Sequence, residues 1–396
     1  MTILHVNSLY HPNVVGGAER SVQALAEAQV QRGLTPIVAT LSPSRHAQQE
    51  LVNGVEVHYL PLQNCYWPFT TKPRPRALKP LWHALDAFNP LMATSIRRLI
   101  KSRRPALVHT HNLTGFSASV WQVARDARVP VVHTLRDYSL LCPAATMFYA
   151  GQNCGAQHFS CRLCSMPRMR LSNRINAVTS VSRFTLERHL AAGAFARVGT
   201  REVVPNFVAR ASIERTARAE AGRPLTFGYM GQIVPVKGVH RLIDAFPRRR
   251  AGECELLIAG EGDEDYVRSL RDMAKDKQVR FLGRKTSEEF YPLLDMLVVP
   301  SLWHEPFARV VIEAYSYGVP VAASNRGGQP EAVEHNVTGF LFDPDRPEAL
   351  RSLLTALVRD GAPAELARNV RARAERFSAA NICSRYEAVY RSTVVA

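Results

Sequence analysis

The stretch SLWHEPFARVVIEAYSYGVPVAAS, residues 301 to 324, holds a helix and a following strand in one short span. Pro306 suits the first helical position, where its missing N–H has no partner to lose, so the pattern predicts a helix from Pro306 with Glu305 at its cap. Phe307, Val310, Val311, Ala314 and Tyr315 recur at helical spacing, and Gly318-Val319-Pro320 stops the helix ahead of the strand-like VPVAAS.

Two carboxylates frame that helix start. Glu313 lies two turns inside the predicted helix, and at a rise of about 1.5 Å per residue the two backbones stand roughly 12 Å apart along the axis. A hydrolytic pair flanks one bond at about 5 to 9.5 Å, so this separation suits the two ends of a long ligand better. Between them, a helix start offers backbone N–H groups and partial positive charge to an anion. The ligand so described is polyhydroxylated, anionic in its middle and long, as a nucleoside diphosphate sugar is. The plainer alternative is a capped, partly exposed helix.

Short apolar runs alternate with helical patterns through both halves. The first half reads as strands at ILHVNS, TPIVATL, VEVHYLP, ALVHTHN, VPVVHTL, AVTSVS and REVVPNF. The second reads as strands at LTFGYMG, ELLIAGEG, VRFLGR, MLVVPS, VPVAAS and GFLFDP. With helices such as AERSVQALAEAQVQRG between them, each half predicts an α/β, doubly wound parallel sheet covered by helices. A length of 396 residues agrees with two domains. The expected division is 1–205, 206–378 and a last helix over 379–396 that returns to the first domain, with the boundary near Pro205-Asn206. Ligands of such sheets sit beyond the carboxyl ends of the strands, which places the expected site in a cleft between two facing domains. Residues 62 to 90, with several prolines, are expected to be irregular.

The net charge of +16 is uneven. Residues 1 to 205 hold 23 Lys and Arg against 9 Asp and Glu, and the remainder 27 against 25. The basic excess concentrates at 71–76, 97–104 and 162–174, which predicts attraction to phosphate-rich surfaces such as anionic lipid headgroups or a lipid-linked diphosphate. Nucleic acid is the competing partner, but no nucleic-acid motif is present and the aromatics near these patches are not interleaved. No apolar run reaches about 18 residues and no secretory signal is visible. An odd seven cysteines favour reduced thiols, so a cytoplasmic chain, peripheral on the inner face of a membrane, is expected.

Gly16 and Gly17 fall between the first strand and first helix, where adjacent glycines allow a phosphate or sugar close to the backbone. The G-x-G-x-x-G spacing of dinucleotide sites is absent. The second half opens similarly, with Gly231 and Gln232 after a strand and Lys237 just ahead of a helix, placed to neutralise a diphosphate.

With these pieces in order, the chain resembles the retaining nucleotide-sugar glycosyltransferases of GT-B fold, family 4. The carriers are GGAER, VHTHN (108–112), VVPNF, MGQIVPVKG, IAGEGDE, FLGRK, EPFARVVIEA and RGGQPEAV followed by GFLF, over nearly the whole length. The resemblance implies that Glu305 contacts the transferred sugar and Glu313 the ribose. It implies that Lys237 and the backbone of Phe307, Ala308 and Arg309 bind the diphosphate, that Gly16 and Gly17 close over it, and that Arg284 lies near the base. Gln232 departs from the pattern, since many relatives carry arginine there; Arg309, or else Arg326, is the expected substitute. Fixed donors aimed at a leaving diphosphate each contribute around 10² to 10³ in rate. Retention, a leaving phosphate that helps deprotonate the acceptor, and no need for a divalent metal follow from the resemblance. It also nominates His133, then His111, for sugar contact or proton handling. The implied setting is cell-surface polysaccharide or glycolipid synthesis, on a glycan or lipid-linked acceptor.

A separate signal is Cys142, Cys154, Cys161 and Cys164, a C-x11-C-x6-C-x2-C set in an insertion at about 140–170. Four such ligands predict a closed, structural zinc. Unrelated reduced thiols are the alternative, with an iron–sulfur cluster a third reading. Two rival functions follow from these features: a zinc-stabilised, basic nucleic-acid-binding protein, and a non-catalytic sensor of nucleotide sugars.

Overall fold

Strands buried on both faces read as continuous apolar runs, and the chain builds two parallel sheets from such runs. The computed structural model describes residues 1–14, 16–70, 76–208, 224–248 and 253–395. The basic run at 71–76 therefore lies outside the described residues except for the backbone of Arg76, as does the Arg-rich stretch over 209–223. Two units are formed: residues 1–147, 154–205 and 379–396 make the first, and 148–153 with 206–378 the second.

The strands up to the join are β1 (Thr2–Val6), β2 (Thr35–Ser42), β3 (Gln48–Val52), β4 (Val55–Pro61), β5 (Leu107–Thr110), β6 (Val131–Leu135), β7 (Phe148–Tyr149), β8 (Gln152–Asn153), β9 (Ala177–Ser180) and β10 (Thr200–Val203). The first sheet runs β10-β9-β6-β5-β1-β2-β4-β3. It is parallel apart from β3, which pairs antiparallel with β4. Sequence reading missed β3 because QQELV is an exposed edge strand with no apolar alternation. Its helices are α1 (Gly17–Gln31), α2 (Lys79–Ala87), α3 (Pro90–Arg103), α4 (Ser119–Asp126), α5 (Phe159–Ser172) and α6 (Arg183–Ala191). Part of the expected irregular excursion is thus α2, which buries Trp82 and ties its indole N–H to the carbonyl of Tyr66 at 3.0 Å.

The second sheet, order β13-β12-β11-β14-β15-β16, is parallel throughout. Its strands are β11 (Leu225–Met230), β12 (Cys254–Ala259), β13 (Val279–Gly283), β14 (Met296–Val299), β15 (Val321–Ser324) and β16 (Gly339–Phe342). Helices α7 (Val239–Ala245), α8 (Glu264–Met273), α9 (Ser287–Phe290), α10 (Arg309–Ser316), α11 (Gln329–Ala332), α12 (Pro347–Asp360) and α13 (Ala364–Glu375) follow in turn. In each sheet the strand order reverses beside the first strand, between β1 and β5 and between β11 and β14. Loops leaving those strand pairs diverge to opposite faces, which opens a crevice at their carboxyl ends.

The last helix, α14 (Ala379–Val395), belongs to the first unit and closes a buried polar chain there. Arg136 Nε donates to His111 Nδ1 at 3.3 Å, leaving His111 Nε2–H to face His5 Nδ1 at 3.1 Å. His5 Nε2 then donates to Gln29 Oε1 at 2.8 Å, and Gln29 Nε2 donates to the Tyr390 hydroxyl at 3.1 Å. Tyr390 in turn donates to His109 Nδ1 at 2.8 Å, and His109 Nε2 to Thr134 Oγ1 at 2.7 Å. Nitrogens of His5, His109 and His111 lie within 4.8 Å of one another, a spacing a metal would accept. Here each ring nitrogen already has a hydrogen-bond partner, so one proton order, with three neutral imidazoles, satisfies the whole cluster. Burial, helped by the Arg136 charge, holds His5 down to about 4 and the other two well below the usual histidine range.

Burial also lowers His133 to about 3 and His189 to about 4. The folded chain then binds fewer protons than the unfolded chain below the ordinary histidine pKa of about 6.5. Stability is full above that pH and is lost as pH falls toward 4, by roughly 2 kcal/mol at pH 5 for each of His5, His133 and His189. Urea melts of the first unit should show its midpoint falling steeply between about pH 7 and pH 5; a flat midpoint across that range would contradict the buried, neutral assignment.

Candidate active site

The crevice of the second sheet is lined by the loop after β11 and the loop after β14. Two glycines hold these loops in contact. Gly238, at φ +74°, ends the loop after β11, and a Cβ there would stand 2.0 Å from the Pro300 carbonyl oxygen. Leu302 N donates to Val236 O at 2.9 Å beside it. From the loop after β15, Gly327 lies at φ +59°, where a Cβ would come within 2.3 Å of the Glu305 carbonyl oxygen. Its neighbour Gly328 donates to that same oxygen at 2.7 Å.

Glu305 is the hub these loops converge on. Its Oε1 accepts from Lys237 Nζ at 2.8 Å, and its Oε2 from Ser301 Oγ at 2.9 Å and Trp303 Nε1 at 2.8 Å. Lys237 Nζ also stands 5.3 Å from the centre of the Trp303 ring, within cation–π range. Glu305 is buried yet ringed by donors, the condition under which a carboxylate tolerates burial. The hairpin β7–β8, expected as part of the first domain's insertion, groups instead with the second unit. There Asn153 Nδ2 donates to Leu302 O at 2.8 Å and its Oδ1 accepts from His304 N at 2.7 Å, bracketing the turn ahead of Glu305.

Helix α10 starts at Arg309, not at Pro306. The reason is local: the Glu305 side chain and carbonyl are both engaged, which keeps residues 305 to 308 in a loop. Ala308 becomes the N-cap, and with a methyl side chain it offers no acceptor to the first turn. Phe307 and Ala308 are themselves buried. Within the helix, buried Glu313 accepts from Arg309 Nε at 2.6 Å and from the Tyr291 hydroxyl at 3.1 Å. Burial and the adjacent Glu313 push the Tyr291 hydroxyl well above its usual range, so it remains a donor. Lys237, Glu305, the α10 start, Arg309 and Glu313 therefore all belong to the second unit.

Other expected residues are placed differently. Gln232 is exposed after β11, and its carbonyl accepts from the Tyr229 hydroxyl at 2.7 Å. Arg284 is exposed beyond β13. Arg326 is committed to the Leu302 carbonyl at 2.6 Å and to Asp345, as Arg309 is to Glu313. In the first unit Gly16 is the N-cap of α1 and Gly17 its first residue, with the Gly16 N–H bonded to Glu19 Oε2 at 2.8 Å. His111 belongs to the buried chain described above. His133 is corrected: it sits mid-strand in β6, packed between the Trp121 and Phe195 rings with Nδ1 2.9 Å from Thr110 Oγ1, and is a core histidine. The residue at the strand's carboxyl end is Arg136, half-buried, which sequence reading passed over although HTLRD puts it one residue beyond the strand. Gln329 was also missed. It follows Gly327-Gly328 and is fully buried with neither amide atom partnered, so it has hydrogen-bonding capacity to spare beside the Glu305 loop.

The four cysteines do not form the expected set. All four are free thiols; Cys161 and Cys142 are hydrogen-bond partners, and Cys154 Sγ lies 3.5 Å from His158 Nε2. Among the described residues no three of the four sulfurs come within 4.8 Å of one another. As placed they do not fit a tetrahedral zinc, whose thiolate bonds are about 2.3 Å long.

Comparison with known proteins matches residues 212–377 to the family model "Glycosyl transferases group 1" and residues 16–206 to "Glycosyl transferase 4-like domain". The chain belongs to the group 1 glycosyltransferases. It is 30% identical over 331 residues to an uncharacterized 42.6 kDa protein in the cps region of Klebsiella pneumoniae, covering 84% of this chain and 87% of that one. It is 31% identical over 216 residues to the GDP-mannose-dependent alpha-(1-6)-phosphatidylinositol monomannoside mannosyltransferase of Mycobacterium tuberculosis, over 48% of this chain and 54% of that enzyme's length. Among solved structures, Anabaena Alr3699/HepE in complex with UDP and glucose superposes with a TM-score of 0.71 at 23% identity, covering 99% and 100% of the two chains. Sucrose-phosphate synthase from Thermosynechococcus elongatus superposes with a TM-score of 0.76 at 20% identity, covering 99% and 98%. The fold is therefore that of GT-B glycosyltransferases, as the resemblance implied.

The glycine contact gives a direct check of this glycosyltransferase's loop geometry. Gly238→Ala should force the β11 and β14 loops apart and separate Lys237 from Glu305. Isothermal titration with a nucleoside diphosphate should show affinity reduced by tenfold or more, about 1.4 kcal/mol; unchanged affinity would mean the loop contact does not shape the site.

Proposed function

We propose that the chain transfers a sugar from a nucleoside diphosphate donor to a hydroxyl of a glycan or lipid-linked acceptor, with retention of configuration, at the face of an anionic membrane. The observation that carries this reading is the Lys237–Glu305 pair beside the side-chain-uncapped start of α10, at the point where the second sheet reverses its strand order. That arrangement offers positive charge for a diphosphate flanked by a carboxylate on either side, Glu305 for the transferred sugar and Glu313 for the ribose. The UDP and glucose bound in the Anabaena structure and the GDP-mannose dependence named for the Mycobacterium enzyme support the nucleoside diphosphate sugar as donor.

In this scheme the bond from the anomeric carbon to the diphosphate oxygen breaks, and the departing oxygen keeps the electron pair. Lys237 Nζ and the first-turn N–H groups of α10 compensate the charge that grows there, as fixed donors do more effectively than mobile water. They stand in the place a divalent cation would otherwise take. The acceptor oxygen bonds to the same face of the sugar, and its proton passes to the departing phosphate oxygen. Glu305, gripped by Ser301 and Trp303, orients the sugar hydroxyls. Arg309 fixes Glu313 for the ribose and adds cationic charge in place of the arginine that Gln232 replaces. No step is routed through His133 or through a metal at the cysteines.

Glu313→Ala should weaken donor binding by about 1 to 3 kcal/mol, the cost of unmaking a hydrogen bond to a charged group. Equal donor affinity in that variant would remove Glu313 from the ribose site. Glu305→Gln keeps the shape but removes the charge facing Lys237, and turnover with the donor and acceptor that a thermal-shift screen selects should fall by 10² or more. Wild-type turnover would remove Glu305 from the reaction, and donor binding without any turnover in the unsubstituted chain would make it a sensor.

A further inference from the structure

Fourteen large apolar side chains are exposed among the described residues, and seven of them lie on or beside one pair of neighbouring helices in the first unit. Leu78, Leu81, Phe88 and Leu91 run along α2 and onto the start of α3, and Phe159, Leu163 and Met166 along α5. Chance scatter would not gather half of them there. Leu81 lies within α2 with Leu78 and Phe88 at its two caps and Leu91 in the first turn of α3, while Phe159, Leu163 and Met166, spaced four and three apart, share one stripe of α5. Phe159 is 82% exposed and Leu163 60%, so these stripes are not the edge of a core.

The two helices pack together through Asp86 on α2 and Arg168 on α5, whose side chains form a buried ion pair. Asp86 is the only acidic residue in 76–104, and 159–174 contains none. With Asp86 neutralised internally, the surface charge of these segments is wholly positive. Lys79, Arg98, Arg162 and Arg170 are exposed among or beside the apolar stripes. Apolar stripes edged by cations match a bilayer interface, where acyl chains accept the former and anionic headgroups the latter.

We propose that this α2–α5 face, with the start of α3, is the surface by which the chain docks on an anionic lipid bilayer. The proposal rests on the membrane element of the function above and gives it a location. Its logic is two-part binding: a few partly inserted side chains alone bind weakly, and each cation near an anionic surface adds a comparable increment. The described helices contain none long and apolar enough to span a membrane, so docking here is lateral.

The test uses the full chain and sedimentation with vesicles of phosphatidylcholine alone or mixed with phosphatidylglycerol. The unsubstituted chain should co-sediment with the mixed vesicles, less so in added salt, and weakly with phosphatidylcholine alone. A Leu81→Ser, Phe159→Ser, Leu163→Ser variant changes only exposed side chains and should lose binding by about tenfold or more. A Lys79→Glu, Arg162→Glu, Arg170→Glu variant should lose it by a similar factor and lose its salt dependence. Nucleotide-sugar thermal shifts should be unaltered in both, which separates a failure of the docking surface from a failure of the donor site. Mixed-vesicle binding that both variants retain would overturn the proposal. So would an unsubstituted chain that ignores vesicles but self-associates until the apolar side chains are replaced, since the face would then be a protein interface.

Discussion

One ion pair organises the candidate site: Lys237 against Glu305, formed where two loops leave adjacent strands of the second sheet in opposite directions. The lysine arrives from β11 and the glutamate from β14, so neither side chain can be placed without the parallel pairing of those strands. Ser301 and Trp303 both bond to Oε2 of Glu305, and the glycines at 238 and 327 let three loops approach more closely than any side chain would permit. The pair is therefore a consequence of sheet topology as much as of sequence. Its cost is the burial of a carboxylate, offset by the ring of donors around it.

The same constraint explains why α10 begins late. A loop that must present the Glu305 carbonyl to Gly328 and its carboxylate to three donors cannot also be helical. The result is a helix whose N-cap is Ala308, a residue with nothing to cap with. Intrinsically this is a poor helix start. Here the omission leaves the first turn without a side-chain cap, at the place proposed for the diphosphate.

How much of this the sequence reveals varies with the kind of signal. The thirteen strands expected from apolar runs all form, because continuous Val, Ile and Leu stretches suit the interior of a parallel sheet and little else of that length. An exposed edge strand such as QQELV carries no such pattern and stays invisible. The placement of Glu305 ahead of a helix and Glu313 within it is legible in the sequence, but the exact helix start is not, since Pro306 satisfies a local rule that loop tethering overrides. His133 and Arg136 show the limit most clearly. Both belong to HTLRD, and only the register of β6 decides that the histidine packs on Trp121 while the arginine stands at the strand's end. The cysteines show the converse: a suggestive spacing whose sulfurs, among the described residues, do not gather in threes.

In the proposed binding mode one molecule lies along Glu305, the α10 start and Glu313, with its diphosphate at the helix. A crystal structure of the chain bound to the nucleoside diphosphate sugar that stabilises it most would test this directly. Phosphate density at the backbone of Ala308 and Arg309, with a ribose against Glu313 and the sugar against Glu305, is the expected result. Density for the donor in any other part of the chain, with the start of α10 vacant, would contradict it.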